Sequence, residues 1–538
     1  MADLITINVD GKDVQVPPKI QLIEALRTYA KVETPAFCYH PDLSVAGNCR
    51  VCLVEVAGPR GFAFGIACHM QTAPGLTVKT QIASDRVKWA RRGVMESLLV
   101  NHPLDCPICD KAGECTLQEN YMTSGRHESR LPDEAGKQYK GGADHRFTDA
   151  KGVDRGGKKI DLGSTILLDQ ERCIVCSRCV RFMDEVAKSP QLAIAGRGDH
   201  AYITTFPGKP LEHGYDLNVT DICPVGALTG KHFRFQQRVW NLKSVESIDP
   251  SDALGANLTI EYNNGRVWRL MPRRNPEVNK SWIANRTRLL YQQLAVNRLG
   301  DARVGARDAT LDDGLAAAKA AIAGAKRVAL VASGHATLED NAALLALRDA
   351  LGERAEVFGG SWLPVGTPDG VALSGDPVAN RAGLALLGIA ANLDDLAARA
   401  GEFDCLVVLS HDLWGASPEK AAALERIPAR VVLASWIDAT VAKATVAVGI
   451  RAWAEVRGTM VNCQERIQLL QACPVSPNPA LEPAWRVLAG LAGAAWASET
   501  DAFKAAAARS PRLAGLTYRA IGPMGAVLPK PALAAAGA

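Results

Sequence analysis

Cys173-Ile174-Val175-Cys176-Ser177-Arg178-Cys179 is the stretch on which the reading of this chain turns. Three cysteines at two-residue intervals, with a fourth far downstream in Cys223-Pro224, have the ligand spacing of a [4Fe–4S] cube. The tight run wraps three irons, and the remote Cys-Pro supplies the fourth ligand. Two-cluster ferredoxins exchange the fourth cysteine between two such runs. Here one run and one remote Cys-Pro occur, so Cys173, Cys176, Cys179 and Cys223 are assigned to one cluster. The neighbouring Arg172, Arg178 and Arg181 read either as solvated surface or as charges that balance an anionic cluster.

Working outward, 11 of the 14 cysteines lie between Cys38 and Cys223, and only Cys405, Cys463 and Cys473 lie beyond. In a reducing compartment such clustering reads as metal ligation rather than a disulfide framework. The three late cysteines read as buried or inert thiols, because free cysteine behaves as a small hydrophobe. Cys38, Cys49, Cys52 and Cys68 form a second set, three of them around the loop Ala46-Gly47-Asn48. Four thiolates suit zinc or a [2Fe–2S] cluster. The long gap before Cys49 and the single Cys-x2-Cys favour one loop wrapped round a flat iron–sulfur cluster. Cys106, Cys109 and Cys115 form a third set lacking a fourth cysteine, and His102 stands four residues ahead. His102 is the expected fourth ligand, with His69 and His127 as competitors, against the ordinary reading of a loop histidine. A neutral imidazole in place of a thiolate makes the cluster one charge less negative, which by itself raises its potential. Eleven cysteines and one histidine thus divide into three sets of four, the wiring of a one-electron relay.

The surrounding chain supports several domains. At 538 residues it exceeds a single ordinary core. Ile5, Ile7 and Val9 alternate into Asp10-Gly11, and Val14 and Val16 resume the alternation, which predicts a hairpin. A short amphipathic helix follows at Leu22, Ile23 and Leu26, then a strand over Cys52 to Val56. Helical pattern from Trp89 to Met122 is broken at His102–Pro107, and Glu134 to Gly163 reads as a long surface arm. A strand over Ser164 to Leu168 and a helix over Val180 to Ala187 flank the Cys173 run. Leu258–Tyr262 and Arg266–Met271 predict a hairpin across Asn263-Asn264-Gly265. Beyond Ala306, helices at Asp312 to Ala325 and Thr337 to Leu351 alternate with strands at Arg327 to Ala332, Asp404 to Leu409 and Arg430 to Trp436. That alternation predicts a parallel sheet flanked by helices. The Ala-rich tail from Ala505 reads as loosely packed.

Composition excludes other classes. A formal charge of +4 is too small for a broad nucleic-acid-binding field. The apolar stretches Ala382 to Ala391 and Val487 to Ala497 fall short of the ~18–20 residues that span a bilayer, and Asp3 breaks any secretory signal. No nucleophile elbow, P-loop or dinucleotide fingerprint is present, so no catalytic residue is assigned.

From Cys38 to Cys68, through His102 to Cys115, and on to Asp221-Ile222-Cys223-Pro224-Val225-Gly226-Ala227-Leu228, the chain resembles the family of large iron–sulfur subunits of respiratory complex I, the NADH–quinone oxidoreductase. The resemblance weakens toward residue 480. It implies a multidomain α/β and α+β fold. A β-grasp [2Fe–2S] ferredoxin-like domain would occupy residues 1–85. A [4Fe–4S] segment with one histidine and three cysteine ligands would occupy 86–130, and a four-cysteine [4Fe–4S] ferredoxin-like segment 131–240. A degenerate fourth-cluster domain at 241–300 and a molybdopterin-oxidoreductase-like α/β domain at 301–538 would follow. One [2Fe–2S] and two [4Fe–4S] clusters are expected. Where fuller members ligate a fourth cluster, this chain has Asp249, Asp252 and Ala256, and no cysteine occurs between Cys223 and Cys405. Glu455, Gly458, Thr459, Asn462, Arg466 and Gln468 resemble a remnant of a molybdopterin signature, without a metal-ligating Cys or Ser, so no molybdenum is expected. The resemblance implies flow from NADH through a partner's flavin to the His102 cluster, then the Cys173 cluster, then the next iron–sulfur subunit toward quinone, with the Cys38 cluster near where electrons come in. It also implies attachment, through partners, to the membrane arm on the cytoplasmic side of a bacterial inner membrane. Rival readings are a relay subunit of a soluble NAD-reducing hydrogenase or formate dehydrogenase, and a zinc-stabilised scaffold.

Overall fold

A computed structural model describes residues 4–100, 102–125, 157–198 and 201–530. The chain divides into two compact units, Met1–Asn241 and Leu242–Ala538.

The first unit opens with β1 (Ile5–Val9) and β2 (Lys12–Val16), an antiparallel hairpin. Asp10 and Gly11 turn it with φ of 53° and 84°, the left-handed pair of a tight hairpin whose twist matches the strands. Then come β3 (Leu53–Gly58), β4 (Gly61–Ile66) and β5 (Thr77–Lys79), giving the sheet order β2-β1-β5-β3-β4. β5 is parallel to β1 and antiparallel to β3. The helical segments Leu22–Glu24 and Ala25–Tyr29 cover one face, where Ile7, Val9, Val16, Leu22, Ile23 and Leu26 are buried together. Each such side chain contributes roughly 1.5–3 kcal/mol by leaving water.

Helix Asp85–Leu99 begins at Ser84, whose hydroxyl accepts from the Val87 amide, and its buried Arg91 donates twice to the Leu53 carbonyl. After helix Thr116–Ser124, the described chain resumes with β6 (Ile160–Asp161) and β7 (Ile166–Leu168). Helix Arg178–Glu185, the hairpin β8 (Leu192–Ala195) and β9 (Tyr202–Thr205), helix Asn218–Ile222 and β10 (Leu228–Gly230) follow. β10 pairs antiparallel with β7, Leu228 opposite Leu168. That pairing brings Cys223, five residues before β10, to Cys173, five residues after β7. Most of the arm expected from Glu134 to Gly163 lies outside the described residues, as does His127.

The second unit starts with an antiparallel sheet, β11 (Lys243–Ile248), β12 (Asn257–Asn263) and β13 (Arg266–Pro272). Its main sheet adds β14 (Ala302–Val304), β15 (Arg307–Ala309), β16 (Val328–Val331), β17 (Ala355–Phe358), β18 (Cys405–Leu409), β19 (Ala429–Ala434) and β20 (Val446–Gly449). The order is β15-β14-β20-β19-β18-β16-β17, parallel from β17 to β20, with the antiparallel β14–β15 hairpin at one edge. Helix Leu338–Leu351 starts at a capping box in which Thr337 and Asp340 satisfy each other's end groups. The strands β17 and β20, which the sequence pattern does not announce, are four residues each. The tail is better packed than its composition suggests. Ala506 is buried at the end of helix Glu499–Ala507, and Leu513, Tyr518, Ile521 and Leu528 also enter the core. Residues 531–538 lie outside the described chain.

Candidate metal centres

The Cys38 set is gathered around the end of the first sheet. Cys49 and Cys52 bracket a turn in which Arg50 takes a φ of 58°, just after Gly47 at 62°, and Cys68 follows β4. The Cys38 thiol is in hydrogen-bonding contact with Cys49 and Cys68, and Cys52 with Cys68. Those contacts pull Cys38 and Cys52 down and push Cys49 and Cys68 up. Cys38, Cys52 and Cys68 are buried. His69 is exposed at this set's own turn.

The Cys173 set curls round a cavity. Val175 and Ser177 take φ of 50° and 63°, and for the β-branched Val175 that conformation costs roughly 1–3 kcal/mol. Cys173, Cys176, Cys179 and Cys223 line a small cavity whose other walls include Leu168, Ile203, Val225 and Leu228. Burial pushes Cys176 up to about 11 and holds Cys179 well above the usual thiol value. Bare thiolates are therefore unfavourable in this wall, and the donor set fits a polynuclear cation that would hold them deprotonated. The Val175 amide already aims at the Cys173 sulfur, 3.4 Å away.

In the third set, Cys106 begins the turn Cys106–Ile108 and Cys115 precedes helix Thr116–Ser124. Cys109 and Cys115 are buried, whereas Cys106 is the one exposed thiol of the eleven. Burial pushes Cys115 up to about 11, and the charges of Cys109 and Cys106 add to the rise. His102 is half-buried in the same loop, its amide bonded to the Leu99 carbonyl. Among the described residues no group of three or more His, Cys, Asp or Glu is placed to hold a single metal ion.

The three sets adjoin in one order. Arg178 donates to the Ala36 and Tyr39 carbonyls beside Cys38, at 3.1 and 2.5 Å, and to the Ile222 carbonyl beside Cys223, at 3.1 Å. Arg181 donates to the Ser44 carbonyl, and the Asn48 amide reaches the Val175 carbonyl. On the other side of the Cys173 set, the Pro224 carbonyl accepts from the Thr116 amide at 3.1 Å and faces the Cys115 sulfur at 3.6 Å. Gly226 leaves room for Cys109, because a Cβ there would stand 2.2 Å from its sulfur. Arg172, buried here, pairs with Asp105 at 3.0 Å and Asp169 at 3.2 Å. The arginines that the sequence leaves between surface and function are therefore tied into the cysteine loops.

In the second unit, the positions where the sequence resemblance expects fourth-cluster ligands carry a hydrogen-bonded loop. Asp249 accepts from Ser251 and from the Thr287 hydroxyl, and Asp252 from Leu254, Ser374 and Arg286. Ala256 is buried. Cys405 and Cys473 are buried as expected, but Cys463 is exposed. The residues that resemble a molybdopterin signature make structural contacts: Arg298 binds Glu455 through two 2.8 Å bonds, Thr459 donates to Glu339, Arg466 pairs with Glu277, and Asn462 and Gln468 donate to the Leu254 and Gly255 carbonyls. Sequence reading misses a cavity of about 600 Å³ at the carboxyl ends of β16, β18 and β19, lined by His335, Ser410, His411, Ser435 and Trp436. The strand pattern places such a crevice, since open parallel sheets present ligand sites there.

Family models match four stretches. Residues 2–83 match a 2Fe-2S iron-sulfur cluster binding domain, and 91–130 the NADH-ubiquinone oxidoreductase-G iron-sulfur binding region. Residues 163–229 match the ferredoxin-like domain of NADH-quinone oxidoreductase subunit 3, and 242–292 an NDSU1/NuoG-like 4Fe-4S domain. The last stretch contains no cysteine in this chain. These matches define an iron–sulfur protein of the ferredoxin type, with [2Fe–2S] and [4Fe–4S] domains.

A mitochondrial NADH dehydrogenase [ubiquinone] iron-sulfur protein 1 of Solanum tuberosum is 42% identical over 57% of this chain and 38% of its own length. A 78 kDa subunit of NADH-ubiquinone oxidoreductase from Neurospora crassa is 41% identical over 55% and 37%, and a 75 kDa subunit from Reclinomonas americana 40% identical over 55% and 40%. The matches thus span about two fifths of the relatives' length. A crystal structure of an NAD+-reducing [NiFe]-hydrogenase in the H2-reduced state aligns at TM-score 0.34 and 25% identity, over 44% of this chain and 91% of that one. The chain is a relative of the large iron–sulfur subunit of complex I.

Proposed function

We propose that this chain is the iron–sulfur relay subunit of a proton-pumping NADH–quinone oxidoreductase. When bound, one [2Fe–2S] cluster on Cys38, Cys49, Cys52 and Cys68 and two [4Fe–4S] clusters, on His102, Cys106, Cys109 and Cys115 and on Cys173, Cys176, Cys179 and Cys223, supply one-electron carriers. The protein's part is to hold the thiolates of each set, to fix the distances between sets, and to keep water from the Cys173 cavity. The observation that carries the reading is the adjacency of the sets, joined by Arg178 on one side and by Cys223–Gly226 on the other.

That adjacency favours a revised order. The Cys173 set lies between the other two, so a path using all three sites has the Cys38 and His102 sets as its ends. The partners in this reading are a flavin-bearing NADH-oxidising subunit and further iron–sulfur subunits, on the cytoplasmic side of a bacterial inner membrane. Among the described residues no helix is long and apolar enough to cross a membrane, and in this reading attachment runs through those partners. The second unit serves as a molybdopterin-oxidoreductase-like scaffold without molybdenum, and its Asp249–Ala256 loop carries no fourth cluster.

The test is metal content and spectroscopy of the purified chain. About ten irons and matching acid-labile sulfide, with three reduced-state EPR species, are expected. Cys176→Ser removes one species and blocks NADH-to-quinone transfer in the assembled complex. A colourless chain carrying zinc would refute the reading, and turnover that survives loss of that species would refute the obligatory path.

A further inference from the structure

We propose that Arg178 is a positioning residue shared by two clusters, clamping the Cys38 and Cys173 loops together and favouring the reduced state of both with one uncancelled charge. The proposal rests on the relay reading above and goes beyond it by assigning a role to a residue that ligates nothing.

Three observations meet at this side chain. Its guanidinium spends its hydrogen bonds on main-chain carbonyls alone, those of Ala36 and Tyr39 on either side of Cys38 and of Ile222 just before Cys223. Carbonyls orient a guanidinium without neutralising it. Its Nε is buried with no acceptor, and the titratable groups that weigh most on it are the thiols of Cys176, Cys223, Cys49 and Cys38, two from each set. The contrast is Arg172 at the other junction, where Asp105 and Asp169 both pair with the guanidinium and cancel its field. Burial lowers the proton affinity of Arg178, yet an arginine stays charged in proteins.

The chemistry follows from charge balance. Reduction adds one electron, from a donor such as dithionite in a titration, and makes a cysteine-ligated cluster one unit more negative with no bond made or broken. A fixed positive charge held half-buried among main-chain carbonyls stabilises that added charge. One arginine touching both loops therefore shifts both clusters in the same direction.

The experiment is a redox titration by EPR of the full chain and of Arg178→Gln and Arg178→Lys. In the glutamine variant the Cys38 and Cys173 clusters become harder to reduce together, by roughly tenfold or about 59 mV each, while the His102 cluster keeps its midpoint. In the lysine variant, which retains the charge and loses the fork, the two midpoints stay close to the parent's. Unchanged midpoints in the glutamine variant, movement of one alone, or an equal movement of all three overturns the proposal. Where the glutamine variant fails to hold its clusters, the lysine variant decides. Assembly with parent-like midpoints supports the proposal, and failure to assemble or two lowered midpoints overturns it. Iron and sulfide content of the parent chain reports separately on the relay reading, so the two failures are distinguishable.

Discussion

Replacing Asp249 by alanine tests whether the Asp249–Ala256 loop is held by carboxylates. Asp249 is fully buried and accepts from the Ser251 amide at 2.8 Å, the Ser251 hydroxyl at 2.6 Å and the Thr287 hydroxyl at 2.5 Å. A hydrogen bond to a charged group contributes about 1.5–3 kcal/mol, and a buried donor left bare costs about 1–3 kcal/mol. Part of this is offset, because burial opposes the ionised carboxyl and pushes its pKa up. The net loss is on the order of 3 kcal/mol, and at about 2–4 °C per kcal/mol the second unit melts some 6–12 °C lower. Differential scanning calorimetry of the full chain at neutral pH reads this directly. The sign of the pH dependence is a second check. A carboxyl whose folded value lies above its unfolded value makes the folded state the better proton binder. Stability therefore falls as pH rises from the unfolded value through the folded one. Asp249→Asn removes that slope. An alanine variant melting within about 1 °C of the parent, or an asparagine variant with the parent's slope, would refute the argument.

Glu339 gives a second pH test, since burial raises its carboxyl to about 7 although Thr459 and Tyr518 donate to it. With the folded value raised, the second unit should lose roughly 3 kcal/mol between about pH 4.5 and 7, and urea titrations of Glu339→Gln should lack that loss. In the first unit, Gly226→Ala places a methyl 2.2 Å from the Cys109 sulfur and 3.2 Å from the Lys111 Cβ. Iron content should fall by about four per chain, with the EPR species of the His102 set lost; retention of that species would mean the close approach is not needed.

How much of this is legible in the sequence depends on the range of the signal. The Cys173 run announces its chemistry because three of its four ligands recur at two-residue intervals in one short stretch, and Asp10-Gly11 announces a hairpin because its signal is equally local. Helix Leu338–Leu351 is legible through Thr337 and Asp340, three residues apart. Arg178 is not, because its acceptors at Ala36 and Tyr39 lie about 140 residues away and only folding identifies them. Which residues line the cavity beside His335, His411 and Trp436 is not legible either, because separate loops build it at the ends of separate strands, although the strand pattern places a crevice there. Cys463 is exposed because it falls in the turn between the strands Gly458–Val461 and Arg466–Leu470, a position its local sequence does not mark.

The two junctions between sets differ in kind. The Cys38 set stands on its own sheet core and meets the Cys173 set through polar contacts of Arg178, Arg181 and Asn48. The Cys173 and His102 sets share covalent chain: Cys223 belongs to one, and Pro224 and Gly226, one and three residues on, shape the other through Thr116, Cys115 and Cys109. A main chain transmits displacement at adjacent residues far more stiffly than a guanidinium between carbonyls, so filling one of these two sets should help order the other. β10 reinforces the effect, since its pairing with β7 fixes both ends of the segment that carries the Cys173 ligands. The remote cysteine thus has a physical purpose that a fourth cysteine in the local run would lack. It makes the spacing between two sites a property of one turn of chain rather than of how two separate loops happen to dock.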